Sequence, residues 1–282
     1  MTLKIQFDKI SVFFFTILLF VFADYSYGQE PNNEQNFKPP KLIFEFSGSF
    51  NIPSGSAKGN IEDFFKFENY GTTYGLGFHL NVKYAANRKG TLYPYINFGL
   101  SQLQNDDNEK SYIDSNIISA GYPLTGSALY KSTVGSSLLI IRSVYAGAGL
   151  QYVFNSKNRL IPFAGAELNY SYIWGYYVQT PRLPAGNNPK GQTTFNINGA
   201  SRFGFGLNIG TDYRISKHLG FVFGIKYKLE NLFGKQSEKS TEKNIINLLD
   251  KASENLNANL SKSRNIEYIE FYVGFAVFAG TK

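Results

Sequence analysis

The chain has 282 residues, a formal net charge of +7, 17% aromatic residues and no cysteine. Without cysteine there is no disulfide framework, so an exported form must be held by its own packing and hydrogen bonding. The 28 Lys and Arg are scattered rather than gathered on one segment, which argues against a nucleic-acid partner.

The N-terminal stretch is read first. Lys4 and Lys9 precede the apolar run Ile10–Ala23, and Ser26-Tyr27-Gly28 offers a small-x-small site before Gln29. That order predicts a cleavable secretory signal over residues 1–28. The alternative, an N-terminal anchor helix, is disfavoured because the run is shorter than the roughly 20 residues a spanning helix needs. No later segment is apolar for that long. Residues 29–41, QEPNNEQNFKPPK, are polar and proline-bearing and predict a flexible periplasmic leader. The remainder, 42–282, reads as one β domain.

From Leu42 the pattern has period two. Leu42, Phe44, Phe46, Gly48, Phe50 and Ile52 share one face, and Glu45, Ser47, Ser49 and Asn51 share the other. The alternation returns over 73–84, 95–101, 143–152, 163–172, 202–214, 219–230 and 269–277, which predicts eight strands. Three connections, 85–90, 155–159 and 216–218, are short and basic. The other four, 53–72, 102–138, 173–199 and 231–265, are long. Strict alternation of short and long connections fits an antiparallel transmembrane barrel with short periplasmic turns and long external loops. A ten-stranded alternative uses Asn116–Tyr122 and Ser127–Val134 as a further hairpin; Tyr130-Lys131-Ser132 spoils its apolar face.

The polar faces carry Glu45, His79, Lys83, Glu167, Arg202, Asp212, Arg214, Lys226, Lys228 and Glu270, among many glycines. These are the candidate site residues. Such a set cannot be the core of a soluble barrel. Turned inward beneath an apolar exterior, it predicts a polar lumen of paired charges that side chains just fill, with glycines making room. Glycine-rich YAGAGLQYVF and FGFGLNIG lack both the third glycine in register and the helix that a dinucleotide site requires. His79 and His218, with no cysteine, do not make a metal set. No GxSxG is present, and no serine shares the spacing of His79. Neither cofactor nor metal is therefore expected, and an enzyme that modifies lipid is the least favoured reading.

The signal-like N-terminus, the strands YAGAGLQYVF and PFAGAELNYSY, and the closing strand YIEFYVGFAVF resemble the outer-membrane β-barrel domain family that includes PorT-like proteins. The resemblance covers essentially the whole chain after residue 28. It implies the barrel fold, the outer membrane, its lipid and lipopolysaccharide as surroundings, and assembly-machinery contacts. It implies little about activity.

In the last long connection, Ile245, Leu248, Leu249, Ala252, Leu256 and Leu260 recur at helical spacing. This predicts an amphipathic helix whose apolar face, Ile245, Leu248, Leu249 and Leu256, packs on other loops or meets a protein partner or a lipopolysaccharide surface. The expected role is structural, adhesive or assembly-related through the external loops. A narrow channel for small solutes is the alternative.

Overall fold

In the computed structural model, residues 37–65, 69–106, 136–154, 158–180, 193–235, 245–246 and 264–280 are described. The period-two segments form eight long strands: β1 (Leu42–Ser54), β2 (Tyr74–Tyr84), β3 (Leu92–Gln104), β4 (Ser136–Val153), β5 (Leu160–Thr180), β6 (Thr193–Arg214), β7 (Leu219–Phe233) and β8 (Glu267–Ala279). Each is antiparallel to its sequence neighbour, and β8 pairs with β1 to close the sheet. The protein is thus an eight-stranded antiparallel β-barrel. Asn116–Tyr122 and Ser127–Val134 of the ten-strand alternative lie outside the described residues.

The register defines the barrel. From Phe44, paired residues run through Val82, Ile96, Ala148, Leu168, Phe205, Leu229 and Glu267 and return to β1 at Ser54. The stagger is ten residues (54 minus 44). Eight tilted strands with a stagger of this size leave an interior that side chains can fill.

Burial follows parity. Outward-facing Leu168, Leu76 and Ile209 are 73%, 60% and 60% exposed, and Phe46, Phe98, Leu100, Leu207 and Phe275 are exposed beside them. Inward-facing Glu45, His79, Asp212 and Lys228 are fully buried. Three short connections make one rim. Gly90, at φ 63°, and Asn87, whose Oδ1 accepts the Thr91 N–H at 2.9 Å, shape the first. Ser216 Oγ accepts the N–H groups of His218 and Leu219 at 3.2 and 3.1 Å in the third.

Four features depart from the sequence expectation. First, β4, β5 and β6 have 18, 21 and 22 residues, so part of each expected loop is strand. Leu138–Ile141 and Ile173–Val178 are apolar on both faces, so the period-two signal stops before the strands do. Second, the polar stretch of the lumen lies between two apolar clusters. Ile43, Tyr93, Val153, Ile161, Phe163, Val222, Tyr272, Ala276 and Phe278 form an apolar floor at the short-turn rim. At the long-loop end Leu103, Leu139, Ile141, Ile173, Tyr177, Phe195 and Ile197 pack with Ile61, Phe64 and Tyr70 of the β1–β2 connection. That connection holds a short helix, α1 (Ile61–Phe65). Third, the end of the leader is packed. Phe37 is buried, the Tyr93 hydroxyl donates to Pro40 O at 3.0 Å, and Arg214 Nη1 donates to Lys38 O at 3.2 Å. One aromatic residue and two rim donors suffice to order an otherwise polar segment.

The fourth corrects the loop helix at its first residue. Ile245 and Ile246 form a two-residue strand parallel to Asn196 and Ile197 of β6. β6 runs about ten residues past its last β7 partner, Phe203↔Phe233, leaving a free edge, and β-branched isoleucines suit an extended edge better than a helix. Leu248, Leu249 and Leu256 lie outside the described residues.

Candidate functional site: the charge-paired lumen

All ten candidate site residues stand on inward-facing positions of the strands and are at most 3% exposed. They separate into clusters set by strand register. Glu45 on β1 pairs with Lys83 on β2. Glu45 Oε2 also accepts Asn81 Nδ2 at 2.9 Å, Asn81 Oδ1 accepts Asn97 Nδ2 at 2.7 Å, and Asn97 Nδ2 reaches Glu167 Oε2 at 3.3 Å. Lys226 Nζ then donates to both oxygens of Glu167 at 3.2 Å. One connected network therefore runs from β1 and β2 through β3 to β5 and β7. Between β5 and β7 stands Gly206 of β6; a Cβ there would lie 3.0 Å from Glu167 Cγ. The glycine lets the ion pair form over β6.

The second cluster holds Lys228 and Glu230, 3.2 Å apart; Glu230 Oε1 accepts Ser143 Oγ at 2.8 Å and Tyr268 OH at 2.7 Å. Ser143 is on β4, so this bond crosses the lumen. The third is His79 Nδ1 to Glu270 Oε1 at 2.9 Å, with the His79 ring edge-on to Tyr272 at 5.0 Å. Asp212 and Arg214 stand near the floor; Arg214 lies 5.1 Å from the Phe278 ring and 5.4 Å from Phe37. Arg202 Nη1 donates to Ser201 O at 2.8 Å.

Among the described residues the buried interior holds five carboxylates (Glu45, Glu167, Asp212, Glu230, Glu270) against six cations (Lys83, Arg202, Arg214, Lys226, Lys228, Arg264), with His79 in addition. The near balance matters, because an uncompensated buried charge is costly. Sequence reasoning did not single out the neutral members that join the clusters: Asn81, Asn97, Ser143, Tyr95 (its hydroxyl donates to Glu167 Oε2 at 3.0 Å) and Tyr268. Their inward parity was the available signal. Arg264 was missed outright, since no strand pattern covers it. It is buried at the long-loop end, donates from Nη1 to Phe64 O at 3.3 Å and Asn69 O at 3.0 Å, and lies 4.3 Å from the Tyr70 ring. It ties the β1–β2 connection over the mouth.

Gly147, Gly149, Gly204 and Gly206 lie within β4 and β6, where no helix follows to receive a phosphate. No group of three or more His, Cys, Asp or Glu among the described residues is placed to hold a metal ion. His218 is on the β6–β7 turn, its Nδ1 3.3 Å from Phe278 O and far along the chain from His79. What the arrangement does chemically is neutralise and fill: charged layer between apolar floor and apolar cap.

No protein-family model matches the sequence, and no curated protein matches it. Among solved structures, Neisserial surface protein A is similar at 13% identity, over 84% of this chain and 97% of that one, with a TM-score of 0.42. The outer membrane protein OprG of Pseudomonas aeruginosa is similar at 13% identity, over 87% and 99%, with a TM-score of 0.40. Ail of Yersinia pestis, solved with the heparin analogue sucrose octasulfate, is similar at 9% identity, over 84% and 95%, with a TM-score of 0.32.

Proposed function

We propose that this protein is an integral outer-membrane barrel with a closed lumen, non-enzymatic, acting through what it presents beyond the membrane. The observation that carries the reading is the inversion of burial: apolar side chains form the exposed outer belt, while charged side chains are buried and paired inside. A water-soluble protein rarely exposes a continuous apolar belt; a lipid-embedded barrel requires one. Among the described residues no helix is long and apolar enough to cross a membrane, so crossing falls to the strands. About 9–11 tilted residues cross a bilayer. β4, β5 and β6 exceed that, so they carry a three-stranded wall past one rim, together with the long connections. This wall and its loops are the surface for an adhesive, structural or assembly role with a protein partner.

The same reading has residues 1–28 as the export signal, the short-turn rim in the periplasm, lipid and lipopolysaccharide around the belt, and barrel-assembly machinery as the insertion partner. Membership of the PorT-like group belongs to it as well, supported by the strand motifs. The test is conductance in a planar bilayer. The sealed lumen predicts no discrete openings of steady size; regular open levels would overturn it.

One observation favours the second reading, a narrow conduit. The side chains of Gln151 and Asn169, buried on adjoining strands β4 and β5, make no hydrogen bond to protein. A strip of polar atoms with spare bonding capacity is what a thread of water would need. The apolar floor and cap oppose it, and the conductance measurement decides.

A further inference from the structure

Among the described strand residues two charged side chains, Arg142 and Glu267, face away from the lumen, and Arg142 is held there by a set of polar groups of its own. Arg142 lies on the outward face of β4, opposite Gln102 of β3 and Trp174 of β5. One step toward the short-turn rim the outward residues are Leu100, Val144 and Tyr172, all exposed and apolar-faced. Arg142 therefore marks where the belt ends on the long-loop side.

Its position is built. Arg142 Nε donates to Gln102 Oε1 at 2.9 Å; Gln102 Nε2 donates to Gln104 Oε1 at 3.0 Å; Gln104 Nε2 donates in turn to the Tyr74 hydroxyl. On the other side Arg142 Nη2 donates to Tyr176 OH at 3.4 Å, and the guanidinium lies 5.1 Å from the Tyr176 ring centre. Tyr172 and Trp174 stack beside it at 5.7 Å. A guanidinium has five N–H donors. These contacts use one on Nε and one on Nη2, and no carboxylate among the described residues answers the charge. Both donors of Nη1 and one of Nη2 are left, on a group whose orientation is already fixed.

We infer that Arg142 is a binding residue for a phosphate group of an outer-leaflet lipid, the phosphorylated sugar end of lipopolysaccharide. The inference rests on the membrane reading above. Phosphate is the anion found at that depth of the membrane. A guanidinium meets it with paired parallel hydrogen bonds, and a fixed guanidinium loses little freedom on doing so. Interfacial Tyr and Trp on either side suit the boundary between acyl chain and headgroup. Gln102 and Tyr176 are positioning residues.

The test uses the full-length protein extracted in mild detergent, with lipid A, dephosphorylated lipid A and inorganic phosphate as probes, and bound lipid read by native mass spectrometry. Wild type binds lipid A on the order of tenfold more tightly than Arg142→Gln. Arg142→Lys falls between, because an ammonium lacks the planar fork. Dephosphorylated lipid A binds wild type and Arg142→Gln alike, and inorganic phosphate does not displace lipid A. Gln102→Ala leaves the charge and removes its support, and is expected to weaken binding by about threefold. Equal affinity of wild type and Arg142→Gln for lipid A overturns the inference, as does equal affinity of wild type for both lipid forms or ready displacement by inorganic phosphate. Failure of the membrane reading is separate: it removes the compact, fast-migrating band of unboiled wild type, which failure of this inference leaves intact.

Discussion

The ring of Tyr95 occupies the space that a side chain on Gly149 would need. The two residues are paired across β3 and β4, and a Cβ on Gly149 would lie 2.5 Å from Tyr95 Cζ and 2.5 Å from Ala166 O. Gly99 seats Tyr145 on the same strand pair, and Gly224 seats Tyr272. Gly149 of VYAGAGLQYVF is thus a seat for a lumen tyrosine, and Tyr95 delivers its hydroxyl to Glu167 from that seat. Gly149→Val must push the ring or the backbone aside. It is expected to destabilise the barrel by about 1–3 kcal/mol. The measurement is the urea midpoint of the folded, heat-modifiable form in lipid vesicles; an unchanged midpoint contradicts the seating role.

Glu167→Gln removes the charge that Lys226 answers. Breaking one side of a buried pair costs about 3–5 kcal/mol. Adding Lys226→Met to the same variant should restore much of the loss, since two neutral groups of similar size replace an ion pair at little cost. If the double variant is no more stable than Glu167→Gln alone, the two residues are not coupled as described.

Two asparagines extend the sheet with their side chains. Asn231 Oδ1 accepts the Ile266 N–H at 2.6 Å while its Nδ2 donates to Arg264 O at 3.0 Å. Asn105 does the same for β4, accepting the Leu139 N–H at 2.7 Å and donating to Ser137 O at 3.0 Å. Both are fully buried. Each replaces a strand where the backbone turns away. Asn231→Ala leaves the buried Ile266 N–H unpaired, while Lys235 Nζ still donates to Arg264 O at 3.1 Å, and is expected to cost about 1–3 kcal/mol. Faster hydrogen exchange confined to Ile266 and its neighbours is the specific signature, and uniform exchange across the barrel would count against it.

Arg264→Ala should release the β1–β2 connection without opening the barrel. The variant keeps the compact band on unboiled gels but becomes sensitive to limited proteolysis within 55–73. Equal protease resistance of wild type and variant would show that the apolar contacts of Ile61, Phe64 and Tyr70 hold the connection alone.

The barrel could be read from sequence because its strands are buried on one face only. Parity alone places Glu45, His79, Glu167 and Lys226 on the same side, whatever the neighbours. Pairing is different. That Lys226 meets Glu167 depends on register and on Gly206 lying between them, and neither is a property of one strand. The same limit explains Leu139, Ile173 and Phe195. Leu139 and Ile173 stand in segments apolar on both faces, so alternation vanishes where those strands leave the belt, whereas Phe195 alternates with Thr194 and Asn196 but lies beyond the register shift at Ile173/Gly175, which reverses its phase relative to the rest of β6. Ile245 was misread because Ile, Leu and Ala at spacings of three and four fit a helix, whereas the open edge of β6 is a tertiary feature. Arg264 sits outside every periodic segment, where only its contacts reveal it.

Closure by β1 and β8 also dictates how this molecule can form. Ser54 and Glu267, paired across the seam, are 213 residues apart in the chain (267 minus 54). Until Glu267–Ala279 arrives, β1 has one unsatisfied edge, and so does whichever strand was laid down last. Seven strands make an open sheet with an apolar face and two sticky margins, the state most prone to aggregate. Folding strand by strand from the N-terminus therefore gains no stable stopping point. Long-range closure is slow by its loop entropy, so the whole chain must be kept from self-association until its final thirteen-residue strand can complete the ring.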